Sequence, residues 1–204
     1  MPNCLILNGH PLSPSFSGAV ANRYAETLEQ RGIKVRRLDI SEMTVPEMTT
    51  RKPGSAELTG HVGEFWEAMV WADHVMVVHP LWWGSMPAKL KALFDIGLQS
   101  GSAYRYVANK PLPLGLMAGR SARLVVTSDT PNWFMASFYA NAHFRTVSNQ
   151  ILKFVGFKPV HISHLSVLRG ATSAHLEKLL TRISADAARD ADTLKTAHPK
   201  KLAA

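Results

Sequence analysis

Short runs of consecutive apolar residues alternate along the chain with segments whose apolar positions recur every three or four residues. The first run, Cys4-Leu5-Ile6-Leu7, closes at Asn8-Gly9. After a Ser/Pro loop, Ala21, Tyr24, Ala25 and Leu28 fall at i, i+3, i+4 and i+7, the spacing of one helix face. Gly32 predicts the end of that helix as a left-handed cap. A second strand is predicted over 34–40, a polar segment as far as Pro53, a helix over 56–71 and a third strand over Val75-Met76-Val77-Val78. Pro87 predicts a helix start, because its missing N–H is no loss in a first turn. Leu90, Leu93 and Phe94 carry the apolar face of that helix. Leu124-Val125-Val126 is a fourth strand, ending at Thr127-Ser128-Asp129-Thr130-Pro131. One long helix is predicted over 134–155, stopped by Gly156, and a fifth strand from Pro159-Val160. A last amphipathic helix carries Leu176, Leu179, Leu180, Ile183, Ala187, Ala191 and Leu194.

Strands alternating with helices imply a mostly parallel sheet covered on both faces. Strands one, three and four are continuous apolar runs, as expected of strands buried on both sides. Strand two alternates polar and apolar residues from Lys34 to Ile40, and strand five does so from Val160 to Leu165. Half-polar strands belong at sheet edges. Edges at two and five select the order 2-1-3-4-5, which predicts an α/β, flavodoxin-like three-layer sandwich. No repeat, low-complexity tract or linker divides the chain, so residues 1–204 are read as one domain. Ligands bind beyond the carboxyl ends of the strands where the winding reverses, here between strands one and three. The loops that matter are therefore 9–17 and 79–87.

The first loop has neither the G-x-G-x-x-G of a dinucleotide turn nor the G-x-x-x-x-G-K-[ST] of a P-loop. It offers Ser13, Ser15 and Ser17 just ahead of a helix N-terminus, where free N–H groups and the helix dipole favour phosphate. Plain N-capping by Ser15 or Ser17 is the alternative. The second loop contains Trp82-Trp83, whose side chains face opposite ways on an extended chain. One of them should form a flat apolar wall for a planar ligand or a partner subunit. The alternative places one Trp under the sheet and the other in a dimer contact. His161 and His164 have metal-like spacing but point to opposite faces of a strand, so no metal site is expected. No H-E-x-x-H and no G-x-S-x-G occurs, and Cys4, in a buried strand, is expected to be inert.

Composition narrows the partners. The 204 residues carry 23 Lys+Arg against 15 Asp+Glu, a formal net charge of +8, yet the basic residues are scattered. The densest groupings are Lys34/Arg36/Arg37 and Lys200/Lys201, too sparse for a nucleic-acid arm. A single cysteine excludes an internal disulfide framework. With no signal-peptide pattern and no long apolar stretch, a cytoplasmic protein without a membrane span is expected.

At Ser15-Phe16-Ser17 and Pro80-Leu81-Trp82-Trp83-x-x-Met86-Pro87-Ala88-x-Leu90-Lys91 the chain resembles the NAD(P)H:quinone oxidoreductases of flavodoxin fold, in particular the quinone-reductase and drug-activity-modulator group. Ala103-Tyr104-Arg105-Tyr106 and Val155-Gly156-Phe157 continue the likeness. The resemblance implies a bound flavin, NAD(P)H as co-substrate, a quinone or related electrophile as acceptor, and a homodimer with active sites at the subunit interface. FAD is favoured over FMN on the closest motif likeness. Carried over by position, His10, Ser15, Phe16 and Ser17 contact the flavin's phosphate end. Pro80, Leu81, Trp82 and Trp83 line the isoalloxazine, Thr127 and Ser128 lie along its other edge, and Tyr104 and Tyr106 reach the partner's substrate pocket. The family's Tyr/His proton-transfer pair has no match that Tyr139 and His143 satisfy, so no catalytic residue is assigned. Asp129 departs from the Gly-Gly of some members and is expected to N-cap the following turn. A flavin-binding regulatory subunit of a potassium-efflux system and an electron-transfer flavodoxin share the pattern. The basic charge and the length fit the second poorly.

Overall fold

The computed structural model describes residues 1–46, 58–109 and 111–196. The strands, in chain order, are β1 (Asn3–Asn8), β2 (Lys34–Asp39), β3 (His74–Pro80), β4 (Tyr104–Arg105), β5 (Leu114–Gly115), β6 (Ser121–Thr127) and β7 (Val160–Leu165). Five of them form a parallel sheet in the order β2-β1-β3-β6-β7, the flavodoxin-like winding expected from the half-polar edges. The other two, β4 and β5, pair antiparallel as a separate short ribbon.

Alternation along each inner strand sends side chains to two cores. Leu5 and Leu7 of β1 join a cluster with Phe65, Leu90 and Leu93, supplied by α2 (Gly60–Trp71) and α3 (Ala88–Gly97). Cys4 and Ile6 face the opposite cluster, built by Tyr24 and Leu28 of α1 (Phe16–Gln30) and Ile183, Ala187 and Ala191 of the last helix (Ser173–Thr196). Each fully buried aliphatic or aromatic side chain contributes about 1.5–3 kcal/mol, so this two-sided burial is what holds the inner strands in place. At the end of α1, the Gly32 and Ile33 N–H groups donate to the Glu29 and Leu28 carbonyls at 2.9 and 3.0 Å, a Schellman closure.

Three sequence expectations are corrected. The long helix over 134–155 is broken into α4 (Asn132–Ser137), α5 (Ala142–Arg145) and a π-helical segment, Thr146–Leu152. Ala140 and Asn141 adopt left-handed φ values of 48° and 52°, which an α-helix cannot contain. The break leaves Trp133, Phe138 and Tyr139 exposed while it turns His143 and Phe144 inward. Pro87 stands at the cap of α3 rather than in its first turn, its carbonyl accepting from the Leu90 and Lys91 N–H groups. In β7 the alternation is not kept: Ile162 is exposed while Ser163, His164 and Leu165 are buried, the Ser163 hydroxyl being bonded to Arg123 and Asp186. The predicted start of α2 at residue 56, residues 47–53 of the polar segment and the Lys200/Lys201 pair lie outside the described residues. The last helix is α6.

Between the sheet and the α1/α6 pair lies a buried polar network. Arg123 forks onto Asp190 through Nε (2.5 Å) and Nη2 (2.8 Å). The Tyr24 hydroxyl donates to Asp190 at 2.5 Å and lies 3.0 Å from His74 Nε2, while His74 Nδ1 lies 2.7 Å from Ser121 Oγ. Burial alone would raise the Asp190 carboxyl, but the Arg123, His74 and Tyr24 partners hold it below its ordinary value. Burial pushes the nearby Cys4 thiol well above its ordinary value, as befits an unreactive core cysteine.

Candidate functional site

The carboxyl ends of β1, β3, β6 and β7 open on a cleft of about 570 Å³. Its walls are His10, Phe16, Ser17, Pro80, Leu81, Trp82, Trp83, Thr127, Ser128, Asp129, Leu168 and Arg169. All but one of the residues expected to contact a flavin are among them. The exception is Ser15, whose Oγ accepts the Gly18 N–H at 3.1 Å as the N-cap of α1. The capping alternative therefore describes Ser15.

The first wall is the start of α1. Gly9 fastens the loop to the sheet: its N–H donates to the Val78 carbonyl at 2.7 Å, and a Cβ there would come within 2.5 Å of Leu90. The N–H groups of Phe16 and Ser17, the first two of the helix, have no intrahelical carbonyl to bond and sit at the positive end of its dipole. Ser17 is buried, with its Oγ 3.3 Å from Thr127 Oγ1, which ties α1 to the end of β6. His10 Nδ1 lies 3.0 Å from the Leu12 carbonyl and 3.1 Å from the Leu12 nitrogen, and partial burial lowers the His10 pKa, so the ring is neutral near pH 7.

The second wall is a hairpin after β3. Trp82 and Ser85 exchange backbone hydrogen bonds of 2.8 and 2.9 Å around Trp83 and Gly84. The central φ values, 50° and 74°, are those of a type I′ turn, natural for Gly84 and costly for Trp83. The turn turns Trp83 wholly to solvent, at 105% exposure, while Trp82, at 42%, meets the His10 ring edge-on at 5.6 Å. Neither tryptophan packs under the sheet, so the burial alternative fails for both.

The third wall is the end of β6. Leu81 N–H donates to the Thr127 carbonyl at 2.8 Å, which joins the second wall to the third. The Ser128 hydroxyl donates to the Thr130 carbonyl at 3.2 Å and lies 2.7 Å from His164 Nε2. His164 therefore carries its proton on Nε2. Behind Pro80, His79 donates from Nδ1 to the Pro80 carbonyl at 2.9 Å and accepts from His143 Nε2 at 3.3 Å. Burial lowers the pKa of His79 to about 3 and those of His143 and His164 to about 4, so all three are neutral near pH 7. Asp129 is not an N-cap. Its Oδ1 accepts the Arg169 N–H at 2.8 Å and its Oδ2 lies 3.1 Å from Arg169 Nη2.

Tyr104 and Tyr106 lie away from the cleft lining. Their rings meet edge-on at 5.8 Å, and Tyr104 packs against Phe154 at 4.9 Å. The ribbon that carries them is fixed by a backbone approach too close for any side chain, since a Cβ on Gly115 would come within 2.5 Å of the Gly156 nitrogen. Sequence reasoning missed Leu168 and Arg169 as cleft residues and His79, His143 and His164 as its backing. The one signal for Arg169 is its place just past the carboxyl end of the fifth strand. The exposed His161 and buried His164 do not come together, and no cluster of metal-ligating side chains occurs among the described residues.

Residues 2–187 match the family model of the flavodoxin-like fold. Over 108 residues, half of this chain, the sequence is 32% identical to an NAD(P)H oxidoreductase of Haemophilus influenzae. That match spans 54% of the relative, so the alignment reaches about half of its length. An FMN-dependent NADH:quinone oxidoreductase of Halalkalibacterium halodurans is 29% identical over 143 residues, 60% of this chain and 67% of that protein. Among solved structures, the NAD(P)H:quinone oxidoreductase of Methanothermobacter marburgensis superimposes with a TM-score of 0.76 at 24% identity, covering 92% of this chain and 98% of its own. At that identity the likeness concerns the fold.

Proposed function

From a chain that belongs to the flavodoxin-like fold family, we propose an FMN-dependent NAD(P)H:quinone oxidoreductase that carries out NAD(P)H + H⁺ + quinone → NAD(P)⁺ + hydroquinone. The observation that carries this reading is the meeting, in one cleft, of a helix N-terminus, a tryptophan wall and two strand-end hydroxyls. That donor set fits a flavin mononucleotide: an anion at one end, a flat apolar ring, and polar ring edges. The three relatives whose names state a flavin are FMN-dependent, so FMN replaces the FAD expected from motif likeness.

FMN, when bound, supplies hydride transfer in two-electron steps, and a donor and acceptor that share one exposed face must use it in turn, in ping-pong order. The Phe16 and Ser17 N–H groups hold the phosphate at the helix N-terminus. Trp82, braced by His10, would hold the ring together with Trp83, Pro80 and Leu81. Thr127 and Ser128 offer hydroxyls to its polar edge. Ser128 is aimed by His164, which stays neutral and adds no charge there. Asp129 is paired with Arg169, which would offset its charge beside a bound flavin. The exposed Trp133, Phe138 and Tyr139, gathered around Phe134, form an aromatic surface that supports a homodimer in which Tyr104 and Tyr106 approach the partner's cleft.

The test is to purify the protein, record its visible spectrum and chromatograph the cofactor released by heat, then follow NADH and NADPH oxidation with a quinone. A yellow protein that releases FMN and turns over quinone is expected. A colourless protein that takes up neither FMN nor FAD overturns the proposal.

A further inference from the structure

Ser128 lines the cleft just past the carboxyl end of β6, and β7 holds both its main chain and its side chain. Its N–H donates to the Leu165 carbonyl at 3.0 Å, and its Oγ lies 2.7 Å from Nε2 of the neighbouring His164. His164 is itself held. It is buried, its ring packs on Phe144 at 5.0 Å, and its carbonyl accepts from Arg182 Nη1 at 3.2 Å. A hydroxyl has one hydrogen to give and two lone pairs to receive with. The Ser128 hydrogen goes to the Thr130 carbonyl at 3.2 Å, and one lone pair takes the Nε2–H of His164. The second lone pair is all that the hydroxyl keeps for a ligand. The opposite tautomer changes nothing here, because the hydroxyl hydrogen then goes to His164. Ser128 therefore meets the cleft as an acceptor.

A group that can only accept selects a group that can only donate. Other acceptors of the lining are already engaged: the Pro80 carbonyl by His79, the Trp82 carbonyl by Ser85 and the Thr127 carbonyl by Leu81. The ribityl hydroxyls of FMN can turn either to give or to accept, so a fixed acceptor does not choose them. The oxidised ring carries one N–H, the imide N3–H between its two carbonyls, and that group can only donate. We propose that Ser128 is the specificity-determining acceptor for this imide N–H, with His164 as the positioning residue that keeps the hydroxyl hydrogen out of the cleft. A serine free to rotate would accept from N3–H or donate to a ring carbonyl. Locked by His164, it reads the ring edge in one sense. An acceptor left facing a group without a hydrogen weakens binding, and that turns the contact into selectivity. This inference rests on the flavin-dependent reading above.

The probe is a pair of flavins, FMN and 3-methyl-FMN, in which a methyl group replaces the imide hydrogen. Each is titrated into flavin-free protein and followed by quenching of the flavin fluorescence. The wild type binds FMN about tenfold more tightly, since 3-methyl-FMN loses one hydrogen bond and leaves an acceptor unpaired. S128A binds FMN about fivefold more weakly and 3-methyl-FMN no more weakly, so the preference falls to about twofold. H164F removes the N–H that fixes the hydroxyl and lowers the preference to about threefold. H164Q, which keeps a side-chain N–H, retains most of it. S128A, a small change on a backbone held by Leu165, decides the matter where H164F does not fold. Equal binding of the two flavins by the wild type overturns the inference and leaves the flavin reading intact. A preference in S128A as large as that of the wild type does the same. A wild-type preference in H164F, with both flavins bound more weakly, makes His164 merely structural and overturns its positioning role. A wild-type protein that binds neither flavin overturns the inference together with the reading it rests on.

Discussion

Two arginine–aspartate pairs sit in the same fold and have opposite characters. Arg123 and Asp190 are buried between sheet and helices, joined by two bonds of 2.5 and 2.8 Å and hedged by Tyr24, His74 and Ser163. Arg169 and Asp129 meet by one guanidinium contact of 3.1 Å at a cleft mouth open to water. Charges taken out of water must be fully partnered, and every polar atom of the first pair's surroundings is spoken for. Charges left in water keep most of their hydration and hold each other loosely. The first pair therefore specifies how α1 and α6 sit on the sheet, and the second remains available to a ligand.

The contrast is broken most directly by removing one arginine at a time. R123M leaves Asp190 buried without its cation and should cost about 3–5 kcal/mol, or roughly 10 °C in Tm for a chain of this size. R169A should change stability by less than about 0.5 kcal/mol. Urea denaturation of both variants at pH 7 measures this, and equal losses would erase the distinction.

Acid should attack both regions through their histidines. Burial lowers the pKa of His74, in the charged network, to about 4 and that of His79, behind the cleft, to about 3. Their folded values lie below the unfolded value of about 6.5, so the unfolded chain binds more protons and stability falls as pH falls from about 6.5 toward 4. At pH 5 each should cost about 2 kcal/mol relative to pH 7. Above pH 7 neither contributes a slope. H79L should flatten the dependence between pH 6.5 and 4 by about one proton, and an unaltered slope in urea titrations would show that His79 does not titrate in this way.

A smaller effect separates the two tryptophans. Trp82 is braced by His10 and faces the cleft, so W82A should weaken FMN by about 1 kcal/mol, or roughly fivefold, with little change in stability. Fluorescence titration of flavin-free protein measures it, and unaltered affinity would make Trp82 a structural residue.

What could be read in the sequence followed the physics of burial. The runs Leu5-Ile6-Leu7, Val75-Met76-Val77-Val78 and Leu124-Val125-Val126 announce strands covered on both faces, and the polar alternation of Lys34 to Ile40 announces an edge. Those features sufficed for the strand order and for two loops that line the cleft. The break at Ala140 and Asn141 was hard to read, because apolar periodicity continues across it and only Asn141, a residue that tolerates the left-handed conformation, signals a stop. The ribbon of β4 and β5 is two residues long on each side, below any periodic signal. The pairings His79–His143, Ser128–His164 and Asp129–Arg169 join residues far apart in the chain, and their chemistry exists only after the fold has brought them together. Ser163 misled in the other direction, since its burial depends on Arg123 and Asp186.

The smallest expected effect concerns Trp83, and it sets the loop's stability against its use. Trp83 is wholly exposed and held at φ 50° in a type I′ turn, where a bulky side chain is strained and asparagine before glycine is the favoured pair. Among the described residues nothing packs on the indole, so Trp83→Asn loses no contact and relieves the backbone. W83N should therefore stabilise the protein by about 0.5–1 kcal/mol in urea denaturation. If the indole walls the flavin or meets a partner subunit, the same variant should bind FMN more weakly or dissociate more readily in sedimentation experiments. A gain in stability with a loss in either property marks Trp83 as a residue kept at the expense of its own turn. A loss of stability would instead mean that the indole packs in the folded protein, and the hairpin would then belong with the buried Arg123 network rather than with the open side of the molecule.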